Sequence, residues 1–287
     1  MMWIRILATL VLVALYAPTL MEMAHEWWTD TYAVHGLFVP LFAAHLLWTD
    51  RKRLQEAVGP PDRRGMAVIA AALVLLAAGY AGGSLLLRGW SFVVALGGLV
   101  LTFLGREWLR AAAFPLAFLF LMVPLPHALV AGVTSHLQHF AASFAGSVLA
   151  LLGVPSFQQG IHIFLPGITL EIAEICNGLR FLLALLVLTL AFAELTLPTP
   201  QRKAALVLSV FPVAIVANAT RVAVVALAAH YWGPEAASGP IHHAIGKAVW
   251  ILTLVPMGLI AFALMRLGQS KGAAAGESFE QLTGRTT

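Results

Sequence analysis

The sequence predicts an all-α polytopic membrane protein with about eight transmembrane helices, an amphipathic helix on the outer side and a small β-hairpin. Composition carries this prediction, because 60% of the 287 residues are hydrophobic and only 10% are charged. A soluble fold of this size needs a more polar surface, whereas a chain in a bilayer turns apolar side chains toward lipid. The net charge of +4 does not indicate a nucleic-acid partner, since Lys and Arg form short clusters between apolar runs.

Eight apolar segments approach the roughly 20 residues that a helix needs to cross a bilayer. The first follows Arg5 and resembles a signal peptide, but it lacks a convincing cleavage site and is interpreted as an uncleaved span. The fourth and fifth segments are short. In chain order the segments are 3–20, 32–48, 66–87, 90–104, 109–123, 178–192, 204–230 and 245–267.

The distribution of Lys and Arg predicts the orientation, because positively charged loops stay on the cytoplasmic side. With both termini inside, the clusters at 51–64, 106–110 and 202–203 and the basic residues of the tail all fall on that side. Arg88 is the exception, in a tight outer turn. The prediction is therefore a multi-pass protein with both termini in the cytoplasm.

The segment between the fifth and sixth spans must then begin and end outside. Residues 127–152 carry polar side chains on one face, which predicts an amphipathic helix at the outer interface or a re-entrant element. Residues 154–175 alternate short apolar runs with Pro and Gly, which favours a hairpin. We expect residues 1–268 to form one integral membrane domain and 269–287, rich in Gly, Ala, Ser and Thr, to form a disordered cytoplasmic tail.

Three side chains that could take part in chemistry reach one membrane level in this topology. Cys176, the only cysteine, lies at the outer end of the sixth span, and His242 lies at the outer end of the eighth. Arg221 comes 17 residues after the start of the seventh span, about 25 Å up a helix in a hydrocarbon core about 30 Å thick. Charge alone set the topology, so the convergence is independent support for a site.

These residue types suit acyl transfer through a thioester. An imidazole such as His242 activates a thiol by taking its proton and later returns that proton to the leaving amine. A guanidinium such as that of Arg221 stabilises the oxyanion of a tetrahedral intermediate. Supporting or substrate-binding roles are assigned to four further residues: Arg180, which lies one turn below Cys176, and Asn218, His243 and Glu174.

Each of these residues also has a purely structural interpretation. Cys176 can simply pack, and Arg221 can anchor its helix at the interface. His242 and His243 can be ordinary interfacial histidines, and Asn218 can form a local cap. Arg180 can pair with either of two carboxylates, Glu171 or Glu174. Four histidines are of a type that binds metal, His127, His136, His139 and His162, but no carboxylate accompanies His136 and His139 at a usable spacing, so we expect no metal. We also expect no cofactor.

The order of the motifs resembles the exosortase/archaeosortase family. Cys176 to Arg180 is similar to that family's Cys-x-Gly-x-Arg motif, Asn218 to Arg221 to its Asn-x-x-Arg motif, and His242 to Gly246 to its His-x-x-x-Gly element. The last spacing selects His242 over His243. The resemblance covers most of the chain except the tail, and it departs from the commoner pattern at Asn177, where Ser is frequent.

This resemblance implies a function beyond what spacing alone indicates. It implies a bacterial inner-membrane enzyme whose site, Cys176, Arg221 and His242, faces the periplasm. The implied partners are membrane-anchored proteins bearing a C-terminal sorting signal of the Pro-Glu-Pro type, in the lipid bilayer. The reaction implied is cleavage by a cysteine protease or transpeptidase, often alongside exopolysaccharide production.

Three other classes compete with this hypothesis. A transporter or flippase would carry polar residues through several spans to the inner side, whereas here they gather at the outer level. An acyl- or glycosyltransferase of envelope polysaccharide assembly would work without Cys176. A structural assembly subunit would tolerate Ala at Cys176, Arg221 and His242 alike. The sequence leaves open the acceptor, hydrolysis against transfer, and the oligomeric state.

Overall fold

The chain folds into ten α-helices and one three-stranded sheet over the described residues. The computed structural model describes residues 2–172 and 178–283, with the backbone alone at 2 and 268–283. The helices are α1 (Met2–Thr29), α2 (Phe38–Thr49), α3 (Arg51–Glu56), α4 (Arg64–Ala81), α5 (Leu85–Ala111), α6 (Ala113–Phe118), α7 (His127–Leu151), α8 (Leu179–Thr196), α9 (Pro200–Trp232) and α10 (Gly239–Thr283). The strands are β1 (Phe157–Gln159), β2 (His162–Leu165) and β3 (Ile168–Glu171).

The class of an all-α polytopic membrane protein is confirmed, with fewer spans than eight. Six described helices are long and apolar enough to cross a bilayer, or up to seven if the bent pair Ala113–Met122 and His127–Leu151 counts as one. The second predicted span is the shorter helix Val34–Thr49, which rises only about 24 Å. The fifth breaks into α6 and a short 3-10 helix, Leu119–Met122, because Pro115 and Pro124 interrupt regular helix hydrogen bonding.

Two structural units emerge, and the first is Met1–Val130. Its core joins α1, α4 and α5 around five buried residues, Leu12, Tyr16, Ala72, Leu76 and Ala95. The α4–α5 hairpin packs closely at glycines: a Cβ on Gly65 would lie within 2.6 Å of the Gly98 carbonyl oxygen. Helix α5 bends at Gly105, whose φ is +85°, a value that an L side chain rarely adopts.

Arg88, the exception in the charge pattern, is neutralised within this unit. Its Nη1 and Nη2 donate to the two carboxylate oxygens of Glu22 at 2.7 and 2.8 Å. The guanidinium also lies 5.0 Å from the centre of the Tyr80 ring, a cation–π arrangement. A paired guanidinium is less costly near the bilayer than a bare charge. Arg88 therefore links α1 to α5.

The second unit is Ala131–Thr287. The sheet has the order β1-β2-β3 with both pairs antiparallel, so the predicted hairpin gains a third strand. Buried side chains of β2, Ile163 and Leu165, pack with α7 and α9 in one core. Helix α7 agrees with the predicted range 127–152, and Gln138 on it donates from Nε2 to the Ile172 carbonyl at 2.9 Å.

Helices α8, α9 and α10 pack together in this unit. Their shared core is apolar and includes Leu185, Val210 and Ala261. The backbone of α10 runs to Thr283, and the candidate span within it ends at Leu267. The disorder of the 269–287 tail and its cytoplasmic side stay predictions, as does the single domain over 1–268.

Candidate active site

Helix α9 carries two site residues, and each of them contacts a different neighbouring helix. Asn218 and Arg221 are three residues apart, so they share one face of the helix. Asn218 is buried and Arg221 is half-buried. Asn218 faces the beginning of α8 and Arg221 faces the beginning of α10. One turn of α9 therefore contacts both flanking helices of the site.

The beginning of α8 rests against Asn218 because Gly178 has no side chain. Gly178 adopts φ +79° and ψ −9° immediately before the helix, a left-handed conformation that favours glycine. A Cβ added there would lie 2.7 Å from Cγ and 2.9 Å from Nδ2 of Asn218. Both the backbone angle and the close approach thus require glycine. This is a physical reason for the glycine in the Cys-x-Gly-x-Arg motif.

Arg221 contacts the first of the two adjacent histidines. Its Nη2 lies 2.9 Å from Nε2 of His242. A guanidinium only donates hydrogen bonds, so Nε2 accepts and the imidazole of this arrangement is neutral, with its proton on Nδ1. His243 is exposed, and its ring centre lies 5.8 Å from that of His242. The geometry brings His242 to the guanidinium.

Gly246 makes room for this contact on α10. It lies one turn after His242, and a Cβ there would be 3.1 to 3.2 Å from Nη2, Cζ and Nε of Arg221. The guanidinium therefore lies against the bare backbone of α10. Its Nε is buried and has no hydrogen-bond partner among the described residues. The sequence motif identified Gly246, but its packing role could not be read from spacing.

The remaining sequence-predicted residues divide into two groups. Arg180 lies in the first turn of α8 and is exposed. It forms no ion pair with a residue of the described ranges 2–172 and 178–283. The alternative pairing of Arg180 with Glu171 is not observed, and the Glu171 carboxylate lies 3.9 Å from Nε2 of His162. Cys176 and Glu174 lie outside the described residues. The structure thus brings together Asn218, Arg221 and His242 with the beginning of α8.

The second unit carries several histidines, and histidine is a common metal ligand. Over the part of the chain that the structure describes, no group of three or more His, Cys, Asp or Glu side chains is placed to hold a metal ion. His139 instead contacts the Ser135 carbonyl oxygen through Nδ1, at 2.8 Å, within α7. The polar groups at the site itself are a guanidinium, an amide and an imidazole.

The multi-span fold and the meeting of three motifs on α8, α9 and α10 define a membrane protein with a polar site at helix ends. Residues 27–262 match the family model described as transmembrane exosortase (Exosortase_EpsH). The chain belongs to the transmembrane exosortase family. Neither the curated proteins nor the solved structures compared with it give a match. Membership supports a membrane protease or transpeptidase role in general.

Proposed function

We propose that this chain is a cysteine protease or transpeptidase that cleaves C-terminal sorting signals of exported proteins. The substrates are membrane-anchored proteins with a signal of the Pro-Glu-Pro type, and the acting residues are Cys176, Arg221 and His242. The observation that carries the proposal is the 2.9 Å contact between Arg221 and His242, formed on the helix that also packs against Gly178. Cys176 precedes Gly178 by two residues, and two residues of backbone extend about 7 Å at most.

The first chemical step forms a thioester. His242 takes the thiol proton, and the thiolate of Cys176 attacks the carbonyl carbon of the scissile peptide bond. Arg221 donates to the oxyanion of the tetrahedral intermediate. The intermediate then collapses, the C–N bond breaks, and His242 returns the proton to the leaving amine. Water attacking the thioester completes hydrolysis, whereas an amine acceptor completes transpeptidation.

The contact between Arg221 and His242 limits the order in which these two residues can act. Nε2 of His242 accepts a hydrogen bond from Arg221, so its lone pair is engaged before the reaction. For Nε2 to take the thiol proton, the guanidinium must exchange this acceptor for another. The scissile carbonyl oxygen of a bound substrate is such an acceptor, and its hydrogen bond to the guanidinium strengthens as the oxyanion develops. Substrate binding therefore frees the imidazole as it engages the guanidinium.

The proposed location is the bacterial inner membrane with the site toward the periplasm. Support comes from the basic clusters, which share one side when both termini are cytoplasmic. Pairing of Arg88 with Glu22 neutralises the basic residue in the predicted outer turn. A tail-anchored substrate would then present its scissile bond just outside the bilayer, at the level of the three site residues.

Co-expression with a tagged tail-anchored substrate tests the proposal. The wild-type chain should yield a shortened product, and Cys176→Ala should leave the substrate uncut at an equal membrane level of the protein. Because Cys176 is the only cysteine, iodoacetamide modifies one thiol in the wild type, and it should abolish cutting there. Uncut substrate with the wild type, or equal cutting by both variants, would contradict the proposal.

A further inference from the structure

The face of the sheet that points away from the core is divided into an apolar end and a polar end. Strand pairing aligns Phe157 with Phe164, and Phe164 with Thr169, in one row across the three strands. The neighbouring row on the same face aligns Gln159, His162 and Glu171, because side chains two residues apart along a strand share a face. The first row is the apolar end and the second the polar end.

The apolar end exposes aromatic rings. Phe157 is 65% exposed and Phe164 is 37% exposed, and their ring centres lie 6.1 Å apart. Beyond them the β2–β3 turn exposes Pro166 and Gly167. The whole stretch 163–170, Ile-Phe-Leu-Pro-Gly-Ile-Thr-Leu, contains no charged residue. Such a tip is costly to hold in water, and a contiguous exposed apolar surface indicates a membrane or protein contact.

The polar end has the opposite character. Nε2 of His162 lies 3.9 Å from Oε2 of Glu171, and both side chains are substantially exposed. The two rows are separated by two residues, or about 7 Å along the strands. The face is therefore amphipathic along the strand direction over a distance close to the depth, about 5–10 Å, at which interfacial elements insert.

We propose that the apolar end of this sheet face inserts into the bilayer interface, with Phe157, Phe164 and the β2–β3 turn in contact with lipid. The occupant is lipid because the chain is a multi-span membrane protein, so a bilayer surrounds its spanning helices. Aromatic side chains are enriched at this depth of a membrane. The polar end, with His162 and Glu171, faces water.

This placement gives the sheet a role in fixing depth. Strand β3 ends at Glu171, and the chain reaches Cys176 five residues later. An anchored turn at one end of β3 would fix the depth of the other end of the strand, at Glu171, relative to the interface. The anchor itself requires no assumption about the reaction.

Site-directed spin labelling measures the proposed depth directly. In a Cys176→Ala background, single cysteines replace Phe157, Phe164 or Thr169 at the apolar end and Gln159 or His162 at the polar end. The full chain is reconstituted in vesicles of phosphatidylethanolamine and phosphatidylglycerol. We expect labels at the apolar end to collide more with oxygen, and labels at the polar end more with a water-soluble nickel chelate, with a depth difference of about 7 Å.

Two outcomes would overturn the inference. High accessibility to the nickel chelate at both ends would place the whole face in water. Low accessibility to both reagents at the apolar end would mean that a protein surface covers it. Thr169→Cys keeps the test decisive if replacing a phenylalanine disturbs the aromatic pair, because Thr169 is exposed in the same row. The background lacks Cys176, so the result is independent of the proposed activity.

Discussion

At the scale of single residues, the two adjacent histidines differ in what they contact. His242 accepts from Arg221 at 2.9 Å, whereas His243 is exposed. The depth estimate from the sequence brought both to the same level and could not separate them by contact. Helix phase separates them, because successive residues of a helix point about 100° apart. The contact with Arg221 therefore favours His242 as the base of the proposed reaction.

We expect His242→Ala to lower substrate cutting by about 10²–10⁴-fold, the usual contribution of a general acid–base. His243→Ala is the matched control and should stay within a few-fold of wild type. Initial rates of product formation in membranes, normalised to protein level, measure the difference. Equal losses in the two variants would remove the distinction between them.

Gly246 is the second residue whose role follows from close packing. Gly246→Ala should displace the guanidinium of Arg221, because the added Cβ would lie 3.1 Å from Nη2. We expect cutting to fall about tenfold or more, which corresponds to about 1.4 kcal/mol of lost transition-state stabilisation.

Gly258→Ala is the control for this change. It lies on the same helix α10, and a Cβ there meets no atom within 4 Å. It should leave the cutting rate near that of wild type, and both variants should reach similar membrane levels. A Gly246→Ala variant with full activity would mean that the guanidinium has room to spare.

At the scale of elements, hydropathy predicted the long helices and failed at the interrupted ones. Helices α8, α9 and the apolar part of α10 lie close to the predicted segments, because each is a long and mostly apolar run. The predicted segment 66–87 covers most of α4 but continues through the turn at 82–84 into α5. The fifth segment is equally apolar, but its prolines break hydrogen bonding that a hydropathy average does not register. Likewise α5 passes through Arg106 and Arg110 to Ala111, beyond the end of its apolar run.

The sequence likewise predicted only part of the candidate site. Helical rise put Arg221 and His242 at a similar depth, which their contact requires but which does not by itself bring them together. The approach of α10 to the guanidinium and of α8 to Asn218 depends on how helices pack side by side, which no rise per residue supplies. The motif glycines, Gly178 and Gly246, were the available signal for those approaches.

Gly178, at the beginning of α8, can be compared with Gly239, at the beginning of α10. Gly178 (φ +79°) and Gly239 (φ +74°) both adopt left-handed angles where a helix begins. Alanine at either costs roughly 1–2 kcal/mol in backbone strain. Only Gly178→Ala also clashes with Asn218, since a Cβ at Gly239 meets nothing within 4 Å.

Gly178→Ala should therefore lower the thermal midpoint in detergent more than Gly239→Ala does, and should also slow substrate cutting more strongly. Thermal unfolding of the purified full chain and initial cutting rates provide the two measurements. Matching losses in both variants would mean that backbone strain alone matters and that Asn218 tolerates a side chain at Gly178.

At the scale of the whole molecule, charge placement predicts orientation. The cluster Arg202 and Lys203 follows α8, and the turn at Gly160 precedes β2. We expect alkaline phosphatase inserted after Lys203 to be inactive and the same enzyme inserted at Gly160 to be active, since it folds only outside the cytoplasm. Activity after Lys203 with none at Gly160 would reverse the proposed orientation and place the site in the cytoplasm.

Arg88 bears on the predicted orientation through its ion pair with Glu22. Arg88 interrupts the charge pattern when side chains are tallied by sign, and it ceases to do so once its carboxylate partner is known. Glu22 lies 66 residues earlier in the chain, so no local window in the sequence reveals the pair. Long-range neutralisation of this kind limits how far topology can be predicted from basic residues alone.

Helix α9 contains a proline near its middle. Pro212 lies within it and leaves the carbonyl of Leu208 without its helical donor, which makes this turn a natural point of flexure. The two polar site residues, Asn218 and Arg221, both come after that proline and lie within one turn of each other, whereas Val210 of the shared apolar core comes before it. Bending at Pro212 would therefore move Asn218 and Arg221 together, so that their contacts with α8 and α10 would loosen or tighten at the same time.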